Sequence, residues 1–197
     1  MSATGLGPML AVQWRTHRRA TLIWMFVLIA GMVGTAGSIA GLYTTPEQIH
    51  TYARAVTAGN ALVVINGRVE GIDSLGGIIA DEFGFLAAFL LPLLGISLVA
   101  QATRLEEEAG RLELVLAGRV ARHVPILAGL IVASAAILLT AIAFALGLSV
   151  FGVPATRSVL YAASLGALAF AFAGLAALLA QVSLHARGRP GDGGIIR

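Results

Sequence analysis

The sequence predicts an all-α integral membrane protein with four transmembrane helices, and three observations carry that prediction. Of 197 residues, 58% are hydrophobic and only 12% charged, against roughly a quarter charged in ordinary soluble domains. Four apolar runs, residues 20–42, 83–101, 124–150 and 159–182, approach or exceed the ~20 residues a helix needs to cross a bilayer core of about 30 Å. None of the four holds an Asp, Glu, Arg or His, and helices apolar all round are too rare in soluble domains to supply four in one short chain.

The arginines set the orientation. Lysine and cysteine are absent, so all 13 basic residues are Arg. Placing the N-terminus inside puts Arg15, Arg18, Arg19, Arg104, Arg111, Arg119, Arg122, Arg187, Arg189 and Arg197 on the cytoplasmic side. Only Arg54, Arg68 and Arg157 remain outside. This bias makes both termini cytoplasmic. Trp24 then falls near the inner end of the first span, and Tyr43 and Tyr161 at outer ends, where amphipathic rings favour the interface. The net charge of +3 is spread beside the spans rather than gathered on a basic face, which fits a lipid bilayer and not nucleic acid.

Residues 1–19 form a cytoplasmic or interfacial N-terminal segment. The stretch "GPMLAVQWRTHRR" has Pro8 at a plausible first helical position. It reads either as a helix lying flat on the inner leaflet or as a frayed terminus with flanking charges. The run 20–42 exceeds the 7 to 15 apolar residues typical of a cleaved signal, so it reads as an uncleaved anchor.

The outer loop, 43–82, is too long for a plain connection. Thr45 as N-cap, Pro46 in the first turn, Gln48 three residues after the cap and Gly59 as a stop predict a short helix. Ile49, Tyr52, Ala53 and Val56 share one face of it, so it should rest on the outer surface. Asn66 and Gly67, between β-branched runs, predict a hairpin turn. The loop holds Glu47, Glu70, Asp73, Asp81 and Glu82 against Arg54 and Arg68. That acidity reads as a solvated surface or as a screen for cationic substrates. Asp81 and Glu82 are adjacent and should point apart on a helix, a poor acid/base pair that marks the outer boundary of the second span. Pro92 should kink that span. Small residues at four-residue steps, Gly37 and Gly41, Gly129 and Ala133, and Ala169, Ala173 and Ala177, allow close helix contact in lipid. Residues 183–197 form a flexible cytoplasmic tail.

Between spans two and three lies "TRLEEEAGRLELVLAG", residues 103–118, with six formal charges. At about 2.5–3.5 kcal/mol per charge, burying it at bilayer depth would cost on the order of 15–21 kcal/mol, so it stays in water. Thr103 and Glu106 have capping-box spacing, Glu107 and Arg111 form a favourable i, i+4 pair, and Gly118 sits where a helix stops. Leu105, Ala109, Leu112 and Leu116 share one face. The prediction is an amphipathic cytoplasmic helix. It is either an interfacial linker or a docking element for a cytosolic partner, the latter accounting for acidic charge that anionic lipid repels.

The run "RLEEEAGRLELVLAGRVAR", Arg104 to Arg122, resembles permeases of the ATP-binding-cassette type-two exporter group. It is most like those of multidrug or polyketide-antibiotic exporters in actinobacteria. The resemblance covers about residues 8–187, the N-terminal part of such a permease, whose relatives continue into further spans. It implies a multi-pass protein of the cell membrane and a role for the island as the helix that couples to an ATPase. Arg104, Glu106, Glu107, Glu108, Gly110, Arg111, Leu112, Glu113 and Leu116 are then the docking residues. The implied partners are a cytosolic ATP-binding-cassette ATPase subunit and a second permease copy or companion permease chain.

The residues themselves agree. Without lysine no phosphate-cradling "GxxxxGK[ST]" loop is possible, so ATP hydrolysis is expected in a partner and not in this chain. The four runs offer no carboxylate or His to carry protons. His17, His50, His123 and His185 are scattered without metal-ligand spacing. No catalytic, metal or cofactor site is expected. The alternative is a non-transporting membrane protein, either a truncated permease remnant or a small membrane scaffold.

Overall fold

The computed structural model describes residues 5–58, 70–108 and 124–187, and among them every regular element is an α-helix. In chain order these are α1 (Leu6–Leu42), α2 (Pro46–Ala58), α3 (Leu75–Glu108), α4 (Val124–Val150) and α5 (Ala155–Arg187). Four of them, α1, α3, α4 and α5, are long and apolar enough to cross a membrane.

Each apolar run lies within one of these helices, but three helices extend beyond their runs. From Leu6 the segment before residue 20 is helical and belongs to α1, whose 37 residues span about 55 Å at 1.5 Å per residue. α3 starts at Leu75, so Asp81 and Glu82 lie within its second and third turns. α5 starts at Ala155. The reason is general. Apolarity marks where the backbone must satisfy itself, while a helix continues into water wherever nothing interrupts it.

In the bundle, α3 and α4 pack on each other and both pack on α1 and α5. Helices α1 and α5 do not touch and lie on opposite sides. Lipid tails are as apolar as leucine, so burying Leu28, Met32 or Ile137 in this bundle earns little transfer energy. Close van der Waals contact must hold it instead. The small residues supply that contact. Ala169, Ala173 and Ala177 form the buried face of α5, and a side chain on Gly95 of α3 would begin 3.0 Å from the carbonyl oxygen of Ala169 and 3.1 Å from Cβ of Ala173. A methyl on Gly129 of α4 would overlap Cβ of Ala102 on α3. Gly37 faces the ring of Phe151, whereas Gly41 faces open space. Around the outside, Phe26, Phe89, Leu146 and Leu178 are exposed as lipid-facing side chains would be.

The helix ends follow local chemistry. The predicted capping box at α2 is present: the Gln48 N–H donates to Thr45 Oγ1 at 3.4 Å, and the Thr45 N–H donates back to Gln48 Oε1 at 3.1 Å. Ala53 and Val56 are buried and Ile49 and Tyr52 half-buried, so the predicted face is the one that packs. The stop at Gly59 and the hairpin at Asn66 and Gly67 lie outside the described residues. The α4–α5 turn is a Schellman motif. Gly152, at φ 88, donates its N–H to Ser149, and Val153 donates to Leu148. Pro154 then leads into α5. Pro92 is buried inside α3, where its missing N–H frees the carbonyl of Ala88 while the helix continues. Trp24 is half-buried and packs on the core cluster.

If close contact at small residues holds the bundle, Gly95→Val should lower unfolding stability in detergent by about 1–3 kcal/mol through overpacking. Gly174→Val should be neutral or slightly stabilising, because nothing lies within 4 Å of that position and Val is the better helix former. Equal melting shifts for the two would contradict the packing account.

Candidate functional site

The island meets the structure only at its start. Helix α3 runs unbroken past Ala102, so Arg104, Glu106, Glu107 and Glu108 belong to its final turns. Thr103 is therefore interior to α3 and does not cap a new helix, a correction to the capping-box reading. The physical cause is that no Gly or Pro separates Leu98 from Glu108, and Leu, Glu and Arg all propagate a helix. Gly110, Arg111, Leu112, Glu113 and Leu116 lie outside the described residues, as does the remainder of the predicted amphipathic helix.

At that same end, α1 turns a polar stripe inward. Gln13, His17 and Thr21 recur at four-residue intervals, in line with Leu28, Met32, Ala36 and Ile39 higher on the same buried face. Gln13 is 2% exposed and Thr21 1%. The Thr21 hydroxyl donates to the His17 carbonyl at 3.0 Å. Gln13 Nε2 and His17 Nε2 are buried with no hydrogen-bond partner among the described residues. The Gln13 amide faces the seam where Ala102 of α3 meets Gly129 of α4. The four-residue spacing was a usable signal for this stripe, hidden by starting the first span at residue 20.

The opposite end of the bundle, which carries α2, holds the main polar contact between separate elements. The Tyr52 hydroxyl lies 2.9 Å from Asp81 Oδ2 and 2.7 Å from Glu82 Oε1. Its one proton is thus shared between two carboxylates. Asp81 is 3% exposed, whereas Glu82 is exposed. Adjacent helical residues do diverge, yet Tyr52 stands over the seam between them and reaches both, so the two carboxylates converge on one group after all. Burial, then the flanking Glu82 and Asp81, push the Tyr52 hydroxyl well above its usual range near 10. Tyr43 meets Tyr52 edge to face, with centroids 5.3 Å apart. Sequence alone gave no pointer to this cluster, because α2 and α3 are joined only through tertiary packing. Nearby, the Tyr161 hydroxyl is buried without a partner among the described residues, beside Gly84.

Two grooves flank this cluster. One, of about 460 Å³, runs between the end of α1 and α2 and includes Leu42, Tyr43, Glu47, Thr51 and Tyr52. The other, of about 500 Å³, follows α1 along Gly31, Gly34, Thr35 and Ser38 up to Tyr43 and to Glu82 of α3. Leu42 and Tyr43 line both, so the grooves adjoin. Among the described residues no three His, Asp or Glu side chains converge as metal ligands.

No family profile matches the chain. It is 29% identical over 185 residues, 93% of its length, to a multidrug efflux system permease protein of Mycobacterium tuberculosis. The chain spans about a third of that relative, 33% of its length. Together with the four long apolar helices, the similarity describes a permease-like, multi-pass membrane protein.

Tyr52→Phe should loosen α2. Losing hydrogen bonds to charged groups removes about 1.5–3 kcal/mol in a buried setting and less at a half-exposed one, read as faster amide exchange along Pro46–Ala58 with α3 to α5 unchanged. The raised Tyr52 value also fixes a sign: the contact is intact at neutral pH and is lost only as pH climbs beyond 10, where the unfolded hydroxyl ionises first. In an alkaline titration of tyrosinate absorbance, Tyr52→Phe should therefore remove the last-titrating hydroxyl and not an early one.

Proposed function

We propose that this chain forms part of the permease of an ATP-binding-cassette exporter that moves lipophilic compounds of the drug or polyketide-antibiotic class. A separate cytosolic ATPase drives it, and a second copy or a companion permease chain completes the pathway. The observation that carries the reading is the similarity to an efflux permease along nearly the whole chain.

The residues support it from three directions. The chain lacks lysine and therefore a P-loop, so mechanical work comes from elsewhere. The Arg bias supports a cytoplasmic position for the island and both termini, where an ATPase is available. The island's charge is too costly to enter lipid and too acidic to favour an anionic leaflet, which leaves protein as its natural contact. On this reading Leu112 and Leu116 form the apolar ridge that seats against the ATPase, with Glu106, Glu107, Glu108, Arg111 and Glu113 as its charged rim. Because α3 is continuous into Arg104 and the acidic residues that follow, a push on the island is delivered along a rigid helix to the Gly95 contact with α5.

Affinity purification of the tagged chain from its native membrane should bring down an ATP-binding subunit. Leu112→Asp or Leu116→Asp should reduce that recovery at least about tenfold, as expected for a charge placed in a desolvated contact, while membrane insertion persists. Undiminished recovery with both variants, or no ATPase with the natural chain, would favour a membrane protein that does not transport.

A further inference from the structure

The N-terminal half of α1 carries a basic face that the coupling scheme does not use. Arg15, Arg19, Leu22 and Phe26 follow one another at steps of four, three and four residues, so they share one line along the helix. That line lies opposite Gln13, Thr21 and Leu28, which are buried against the rest of the bundle. Its members are all exposed, Leu22 at 51% and Phe26 at 72%. A lipid-facing apolar wall therefore passes directly into two arginines, over about 16 Å from Phe26 to Arg15 at 1.5 Å per residue. Trp14, 43% exposed, stands level with Arg15, and an exposed indole there marks headgroup depth. Nothing in the fold answers the charge. From Leu6 to Leu42, α1 contains no Asp or Glu, α3 and α4 pack on its opposite face, and neither Arg15 nor Arg19 has an ion-pair partner among the described residues. Like charges one turn apart repel each other, so this stacked pair is relieved by an anion from outside.

We propose that Arg15 and Arg19 hold the phosphate of an anionic phospholipid whose acyl chain lies along Leu22 and Phe26. A guanidinium presents its donors in a planar fork that fits phosphate oxygens two at a time, and beside hydrocarbon the attraction is screened less than in open water. A zwitterionic headgroup brings an ammonium that two arginines repel and that no carboxylate on α1 receives, so the site selects a headgroup of net negative charge. Arg18, about 100° round the helix from Arg19, stands on the flank with Trp14 and is not aimed at the same phosphate. The bound lipid fixes the depth of α1 in the bilayer. The assignment concerns α1 alone and goes beyond the exporter reading without resting on it.

The test titrates the purified full chain, in neutral maltoside micelles, with dioctanoyl phosphatidylglycerol and with phosphatidylcholine of the same chain length, bound lipid being counted by native mass spectrometry. Saturable binding of the phosphatidylglycerol is expected, about tenfold or more tighter than that of the phosphatidylcholine and not displaced by inorganic phosphate. Arg15→Gln and Arg19→Gln should each raise its Kd about fivefold, the scale of one arginine at an anionic surface. Arg18→Gln removes the same charge from the flank and should change it by about twofold at most. Phe26→Ala should raise it about threefold through lost acyl contact. All four positions are exposed, so the melting temperature of each variant in lipid-free micelles should match that of the natural chain. Equal affinity for the two lipids, displacement by inorganic phosphate, or equal losses in Arg18→Gln and Arg19→Gln overturns the assignment, the last by revealing a diffuse basic surface. No ATPase and no transport enter the measurement, so its failure leaves the exporter reading standing.

Discussion

The structure depends on a constraint imposed by lipid. In a solvent as apolar as the side chains it surrounds, helices gain little by hiding leucines, and association rests on how closely backbones approach and on satisfying polar groups. The contact of Gly95 with Ala169 and Ala173, and the one between Gly129 and Ala102, are therefore where this bundle is decided. They also explain its plan. Helices α3 and α4 contribute these glycines and sit together in the middle, while α1 and α5 are held against them on opposite sides.

The polar chemistry is pushed to the two ends, and the ends differ in kind. The arginine-rich end carries an inward stripe, Gln13, His17 and Thr21, with two buried nitrogens lacking partners among the described residues. The α2 end is closed by one hydroxyl bound to two carboxylates. A short helix with so small an apolar face gains little from burial, so the capping box and the Tyr52 cluster together account for its fixed placement. Between the two ends runs α3, one helix that carries the carboxylates at its start, the tight glycine in its middle and the first charges of the island at its finish.

How much of this was legible follows the range of each interaction. Four spans were evident, because a stretch of about twenty apolar residues has one physical meaning. The α2 cap was legible for a similar reason: Thr45, Pro46 and Gln48 act within four residues of one another. Boundaries were less so. Starting the first span at residue 20 and the second at residue 83 followed hydropathy, which says where water stops and not where a helix does; hence the polar stripe of α1 and the start of α3 at Leu75 were missed. The Thr103 cap failed likewise, since good capping spacing cannot start a helix where one is already running.

By itself the sequence determined the solvent of each segment, the number of crossings, and the caps whose partners lie within one helical turn, because hydropathy and local hydrogen bonding act over short stretches of chain. Only the tertiary structure decided which small residues touch, that two neighbouring carboxylates share a tyrosine 29 and 30 positions away, and that α1 and α5 stay apart. Those outcomes are set by the packing of several helices at once, and a one-dimensional pattern holds no record of which neighbours the third dimension brings.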